Sequence, residues 1–393
     1  MATRIHADLA IPGLGEPIEQ ALVVFDGPTI TYAGPADGGP KQASDDETVE
    51  VPLVMPGLWD CHGHFLGMDS ADLERLALTG VVLTAARSTA DAARTLMGGV
   101  TSVRDVGGNG LQLAAAIDEG AVPGPHIHGA GAILSTTGGH ADVHSLPLDW
   151  VHQIEGIAGL GIICDGVPEV LRAVRRNLRA NAKLIKVCAS GGVVSEVDDP
   201  IHQQFSDEEL RAIVGEATRA DRLVAAHCHG KPGIMAALRA GVKTIEHGSY
   251  LDEEAADLMV ETGAMLVPTR FVIAQLMENA DELPGYVRDK AAVVADHHET
   301  AMKIAVAKGV RIAAGCDIFV SGDSYGRNGS EIRNLIDAGL TDLDAIDAAT
   351  ARAPETLGPQ APPSGRLEVG FDADVIALDT NPLVDRSVWG EPD

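Results

Sequence analysis

Along this 393-residue chain the spacing of hydrophobic and polar positions changes near residue 52. Before that point, short β-like runs such as 21–25 and 29–33 alternate with turns rich in Gly, Pro and Asp, which predicts a small antiparallel unit. An apolar run at 51–58, broken by prolines, then leads to His62 and His64. Beyond it, strand-like runs at 99–105, 126–131, 184–189, 223–227, 244–247, 264–268 and 310–317 alternate with helical sequence. The helical stretches fall at about 110–119, 168–181, 207–220, 232–240, 253–262 and 285–308. Counted from His62, this makes eight strand–helix units and predicts an α/β fold, a (β/α)8 TIM barrel. Helices at 330–338 and 343–351 close it, and a proline-rich link at 359–363 follows. Residues 365–378 then read as strands that rejoin the N-terminal unit. The expected organisation is a small β-sandwich domain from 1–55 plus 364–393, and a catalytic barrel over 56–363.

In such barrels, chemistry sits at the C-terminal ends of the strands. The ionisable side chains there are His62, His64, Lys186, His227, His247 and Asp317, on the first, fourth, fifth, sixth and eighth runs. Unrelated polar residues would not all fall at strand ends. His62 and His64 share one strand face and aim two imidazoles at one point, which suits a first-row metal. Two solvent histidines at a strand end fit that dipeptide spacing as well. A salt bridge or a snorkelling side chain is the ordinary reading of Lys186. Asp317, followed by Gly and Ser residues, also reads as a helix N-cap or turn aspartate.

Charge and cysteine usage narrow the chemistry. A net charge of −28 argues against binding nucleic acid or an anionic membrane surface. No run approaches the apolar length of a membrane span, and residues 1–15 lack a signal-peptide pattern, so a cytoplasmic protein is expected. The five cysteines include no C-x-x-C, which argues against a thiolate zinc site and a disulfide framework. Cys61, Cys228 and Cys316 adjoin the candidate ligands and read as small buried residues. Cys188 shares the strand face of Lys186 and is expected to line the site.

Six motifs carry a resemblance: P-G-L-W-D-C-H-G-H at 56–64, L-I-K-V-C-A-S-G-G at 184–192, A-A-H-C-H-G at 225–230, T-I-E-H-G at 244–248, A-G-C-D at 314–317 and G-R-L-E-V-G-F-D-A-D at 365–374. Over nearly its whole length the chain resembles the amidohydrolase superfamily. The nearest likeness is the binuclear subgroup of prolidase-like and carboxypeptidase-like dipeptidases and ochratoxin-degrading amidases. Residues 101–105 and 136–142 point the same way.

The resemblance implies two divalent ions, zinc or alternatively cobalt or manganese. His62 and His64 would bind the first, His227 and His247 the second, and an N-carboxylated Lys186 would bridge them. Asp317 would ligate the first ion and handle the proton of a metal-bridging water or hydroxide that attacks an amide. His140, in the loop after the third run, would assist catalysis and bind substrate; a solvent loop histidine is its other reading. His229 shares a face with His227 and is read as lying further out, near substrate. Asp60 and Asp105 are either acceptors that orient ligand imidazoles or structural residues.

The chain departs from that pattern in three places. Arg270 stands where relatives carry an apolar or aromatic residue, and it is expected to recognise an anion. The 321–326 loop lacks the H-G-D-N pattern of the subgroup. Relatives continue with further β residues past Trp389, where this chain ends at Asp393. The implied activity is hydrolysis of an N-acyl amino acid, dipeptide or ochratoxin-like amide, with a small-molecule substrate and a homo-oligomeric enzyme. Alternatives are a carbamate or urea hydrolase on the same site, and a catalytically inactive scaffold. A mononuclear deaminase fits less well, because Lys186 is present and 227–230 contains no Glu.

Overall fold

The alternating runs of the first 56 residues form strands Thr3–Ala10 (β1), Ile18–Asp26 (β2), Thr29–Pro35 (β3) and Glu47–Pro56 (β4). The computed structural model describes residues 1–157 and 161–390. β1 pairs antiparallel with β2 and parallel with β4. The apolar face of this sheet buries Ile5, Val23, Ile30 and Val54 together with Leu367 from the far end of the chain.

Among the described residues eleven parallel-sheet strands follow, from Leu58–Met68 (β5) through Val100–Asp105 (β6), His126–Ile127 (β7), Leu134–Ser135 (β8) and Ile162–Ile163 (β9) to Ile185–Cys188 (β10). Val224–Cys228 (β11), Thr244–His247 (β12), Met265–Val267 (β13), Arg311–Ile312 (β14) and Ile318–Val320 (β15) complete that set, with Val375–Leu378 (β16) after it. β16 adds antiparallel to β4, so both ends of the chain meet in one five-stranded sheet ordered β16-β4-β1-β2-β3.

Gly57 joins β4 to β5, where a Cβ would lie 2.2 Å from the Thr101 side chain; only glycine fits that approach. Every residue of β5 is buried. The remaining strands form two sheets, ordered β14-β13-β12-β11-β10-β8-β9 and β15-β5-β6-β7, and all their ladders are parallel. Backbone bonds cross between them: Lys183 N donates to Gly129 O (2.9 Å), and Cys61 N donates to Ala314 O (2.9 Å). Parallel strands need crossovers, and helices such as Val167–Arg179, Asp207–Thr218 and Gly285–Lys308 supply them. Among the described residues, no helix is long and apolar enough to cross a membrane.

Sequence and structure differ in places that matter. The run at 310–317 is strand only over β14, because Gly315 passes tightly beside His62 and Asp317 adopts a left-handed φ of 60°. Of the run at 365–378 only β16 is strand. Gly365 and Gly370 have φ of 81° and 89°, which breaks the extended backbone and lays the segment across the sheet. The five cysteines are free and buried, including Cys61, Cys228 and Cys316 beside the candidate ligands.

Candidate active site

Alternation along β5 puts His62 and His64 on one face, both buried. His62 Nδ1 lies 2.7 Å from Glu246 Oε2 on β12. That carboxylate also receives Arg104 Nη2 at 2.7 Å, while Arg104 Nη1 reaches Thr244 Oγ1 at 3.0 Å. Burial pushes the Glu246 carboxyl up, but Arg104 and His62 outweigh it and hold the group well below the carboxylate range. A carboxylate partner fixes the proton on His62 Nδ1. Nε2 then carries the lone pair, 3.2 Å from Lys186 Nζ and 3.6 Å from Asp317 Oδ1. His64 is set the same way: Nδ1 meets Gly107 O at 2.5 Å, and Nε2 stands 3.3 Å from Asp317 Oδ1.

Three histidines gather beside this pair. His227 Nε2 meets Gly191 O at 3.0 Å, His229 Nδ1 meets Ser249 Oγ at 2.8 Å, and His247 Nδ1 meets Thr269 Oγ1 at 2.7 Å. His247, Thr269 and Asp317 have φ of 69°, 53° and 60°. Left-handed backbone is costly for such residues, and it is concentrated here where side chains converge. Buried His298 steadies one of these turns, with Nε2 3.1 Å from His247 O.

Two donor groups result, His62–His64–Asp317 and His227–His229–His247, each with its ligand atoms within 4.8 Å of one another. The His62 and His247 rings are 4.9 Å apart, so the groups adjoin, with Lys186 against His62. Neutral imidazole and carboxylate donors are what a divalent first-row ion requires. Burial keeps the imidazoles in that form: it pushes His62 down to about 4 and His229 to about 3, and takes His227 and His247 well below the ordinary value. Burial also lowers the Lys186 ammonium pKa. Burial alone would raise the Asp317 carboxyl, but His62, His64 and Lys186 hold it below the usual range. The donor set therefore fits divalent ions.

All seven of these side chains line one cavity of about 130 Å³, together with His140 and Cys188. Its other lining is apolar, from Leu73 and Leu76 through Val193 and Val194 to Val272 and Leu276. His140 stacks on His227 with ring centroids 4.2 Å apart, and its Nδ1 is 2.7 Å from Ser195 Oγ. His229, read from sequence as lying further out, stands inside the three-histidine group.

Arg270 is not brought to this cavity. The turn at Thr269 starts helix Arg270–Glu278 directly after β13, and Val272, Ile273 and Leu276 of that helix face the cavity instead. The Arg270 and Phe271 amides donate to the Glu331 carboxylate at 3.0 and 2.7 Å. Asp60 takes backbone amides of His62 and Cys316, at 2.9 and 3.0 Å, and so ties β5 to the 313–317 segment. Asp105 takes the Phe65 amide at 3.0 Å. Both carboxylates hold backbone, and the imidazoles are oriented by other groups.

Sequence reasoning missed Glu246, Arg104, Ser249 and Thr269. A signal existed for the first two. Glu246 lies in a wholly buried strand, where a carboxylate needs a cation, and Arg104 is a lone cation in another buried strand.

Comparison with known proteins agrees with this geometry. The model of the amidohydrolase family matches residues 53–392. Ochratoxinase of Aspergillus niger is 44% identical over 409 residues, covering 99% of this chain and 84% of that protein. The crystal structure of A. niger ochratoxinase superposes with a TM-score of 0.92 at 43% identity, covering 100% of this chain and 92% of that one. A prolidase crystallised with N-methylphosphonate-L-proline gives a TM-score of 0.92 at 34% identity, covering 100% and 96%. With a family match from residue 53 to 392 and a relative 44% identical across nearly the whole chain, this protein belongs to the amidohydrolase family and is a hydrolase of amide bonds.

Proposed function

We propose that this hydrolase cleaves amides whose amine half is an amino acid: N-acyl amino acids, dipeptides or ochratoxin-like amides. The observation that carries the reading is the pair of adjoining donor groups opening onto an apolar-lined cavity. The likeness to ochratoxinase and to the prolidase supports an amide next to a carboxylate. The fold assigned to it is one (β/α)8 barrel over 56–363, with a small β domain from 1–55 and 364–393. The bonds Lys183 N–Gly129 O and Cys61 N–Ala314 O, which link the two parallel sheets, support that assignment.

In this reading His62, His64 and Asp317 hold one divalent ion, zinc in preference to cobalt or manganese. His227 and His247 hold a second, with His229 beside them. A buried lysine with a lowered pKa has a free amine available to take up carbon dioxide, and a carboxylated Lys186 would bridge the two groups as an oxygen ligand. Two such ions supply a water of low pKa and polarise the scissile carbonyl. Asp317, an ionised carboxylate between His62 and His64, accepts the proton of the attacking water and delivers it to the leaving amine. His140 Nδ1 is engaged by the Ser195 hydroxyl at 2.7 Å, so this reading gives Nε2 to the substrate, as an N–H donor with Ser195 donating to Nδ1. Val272, Ile273 and Leu276 receive the apolar part of the substrate.

The test is a hydrolysis screen of enzyme loaded with Zn, Co or Mn. N-acyl amino acids and dipeptides should be cleaved. Turnover confined to neutral carbamates and phenylureas would overturn the proposed substrate class.

A further inference from the structure

The loop at 190–199 carries more of the site than its irregular backbone suggests. Gly191 O receives His227 Nε2 at 3.0 Å, and Ser195 Oγ meets His140 Nδ1 at 2.7 Å. Val193 and Val194 line the cavity. The His140 ring packs so tightly on this loop that a Cβ at Gly192 would lie 2.0 Å from it. A loop that touches one candidate ligand, one substrate-facing histidine and the apolar lining must be held still. Its own secondary structure does not do this, since only a single bridge, Ser190 to Gln203, is present.

The holding group comes from another element. Lys290, on helix Gly285–Lys308, sends Nζ to the carbonyls of Gly192 (3.2 Å), Ser195 (2.7 Å) and Asp198. The same ammonium is 3.7 Å from Asp198 Oδ1. The other oxygen, Asp198 Oδ2, accepts from Gly192 N at 2.8 Å and Gln204 Nε2 at 3.2 Å, and Gln204 Oε1 accepts from His140 N at 3.1 Å. One cation thus gathers three carbonyls spaced along seven residues and closes them over a buried carboxylate. An ammonium has three donors and satisfies this geometry.

We propose that Lys290 is a positioning residue for hydrolysis: by pinning the 192–198 loop it fixes His140 and the Val193–Val194 part of the cavity against the substrate. The inference rests on the amide-hydrolase reading of the site but not on any one substrate. Its distinguishing feature is that the strap should act on substrate binding more than on the bond-breaking step.

The experiment compares metal-loaded wild type with Lys290→Met, Lys290→Arg and Lys303→Met, the last an exposed lysine of the same helix paired with Glu299. For the best-cleaved amide of the screen, Lys290→Met should raise KM about tenfold or more with kcat within about threefold of wild type. Its bound metal should stay unchanged, Lys290→Arg should recover part of the loss, and Lys303→Met should behave as wild type. Amide hydrogen exchange over 192–198 should speed up in Lys290→Met and in no control. Unchanged exchange, an unchanged KM, or a loss carried by metal release would each overturn the proposal. If wild type cleaved nothing in the screen, the substrate reading would be what failed, and exchange would still decide whether the strap exists.

Discussion

Glu246 Oε2 accepts from His62 Nδ1 at 2.7 Å across 184 residues of sequence, and the same carboxylate closes an ion pair with Arg104. Neither Glu246 nor Arg104 has any exposed side chain. This triad fixes which nitrogen of His62 faces Asp317 and Lys186. Replacing Glu246 by Gln leaves the Arg104 charge buried and removes the anion that orients the ring. Unpairing a buried ion pair costs about 3–5 kcal/mol, and losing a ligand-orienting partner weakens metal binding about 10–100-fold. Glu246→Gln should therefore melt lower and hold less metal after dialysis against a weak chelator. A variant with full metal and an unchanged melt would show the triad to be incidental.

Lys186→Ala is expected to lose both metal and activity, with partial recovery of each in millimolar formate or acetate. The side chain sits 3.2 Å from His62 Nε2 and lines the same cavity as both donor groups, so truncation leaves a gap of the size of a small acid. Elemental analysis with and without the acid checks it. Full activity without rescue would remove Lys186 from the bridging role.

How far these residues were legible in the sequence follows from what each depends on. His62, His64, Lys186, His227 and His247 could be read because each lies in or at the end of an apolar strand, where alternation fixes which way it points, whereas Asp317 lies past its strand on a left-handed turn. The structure brings His62, His64, Asp317, His227 and His247 into two adjoining groups, with Lys186 against His62. The Glu246–Arg104 pair was hidden because its meaning lies in a partner 142 residues away. Arg270 lies off the cavity for a local reason. Thr269 turns the chain straight into a helix, and a helix start gives the cavity side to Val272 and Leu276 rather than to its first residue. Periodicity also overran the strand at 365–374, where two left-handed glycines decide the path.

Asp317→Asn should lower kcat by about 10²–10⁴-fold while KM changes little, the usual size of a lost general acid–base. The amide keeps the shape and a possible ligand oxygen but accepts no proton. Steady-state kinetics at constant metal loading read this directly. A loss confined to KM would assign Asp317 to substrate placement.

Glu331 supplies a pH dependence. Burial pushes its carboxyl up to about 7, against the amides of Arg270 and Phe271 that favour the charged form. Its folded pKa lies above its unfolded one, so the native state holds the proton more tightly. Glu331's own contribution to stability should fall as pH rises from about 4.5 to about 7 and then level off, by an amount on the order of 3 kcal/mol, while the buried histidines, held neutral, contribute stability that grows as pH rises toward about 6.5. Urea unfolding of chelator-treated protein at pH 5 and pH 8 isolates it by comparison: from pH 5 to pH 8, wild type should lose stability relative to Glu331→Gln by about that amount. An equal difference in both proteins would place the titration elsewhere.

The last prediction separates His140 from Arg270. His140 lines the cavity, stacks on His227 at 4.2 Å, and has Nδ1 engaged by Ser195, so only Nε2 is left for substrate, in the proposed reading as an N–H. Burial pushes its pKa down to about 4, which makes it a neutral donor at working pH rather than a cation. A neutral donor binds a carboxylate and a primary amide with less contrast than a guanidinium would. His140→Ala should then raise KM about tenfold for an N-acyl amino acid and only somewhat less for its primary amide. Arg270→Met should leave the ratio between those two substrates unchanged, since Arg270 heads its helix outside the cavity lining. A selective loss on the carboxylate substrate in Arg270→Met, with the primary amide unaffected, would mean that the guanidinium swings to the cavity when substrate enters. The anion site would then be Arg270, and His140 would be left to brace His227.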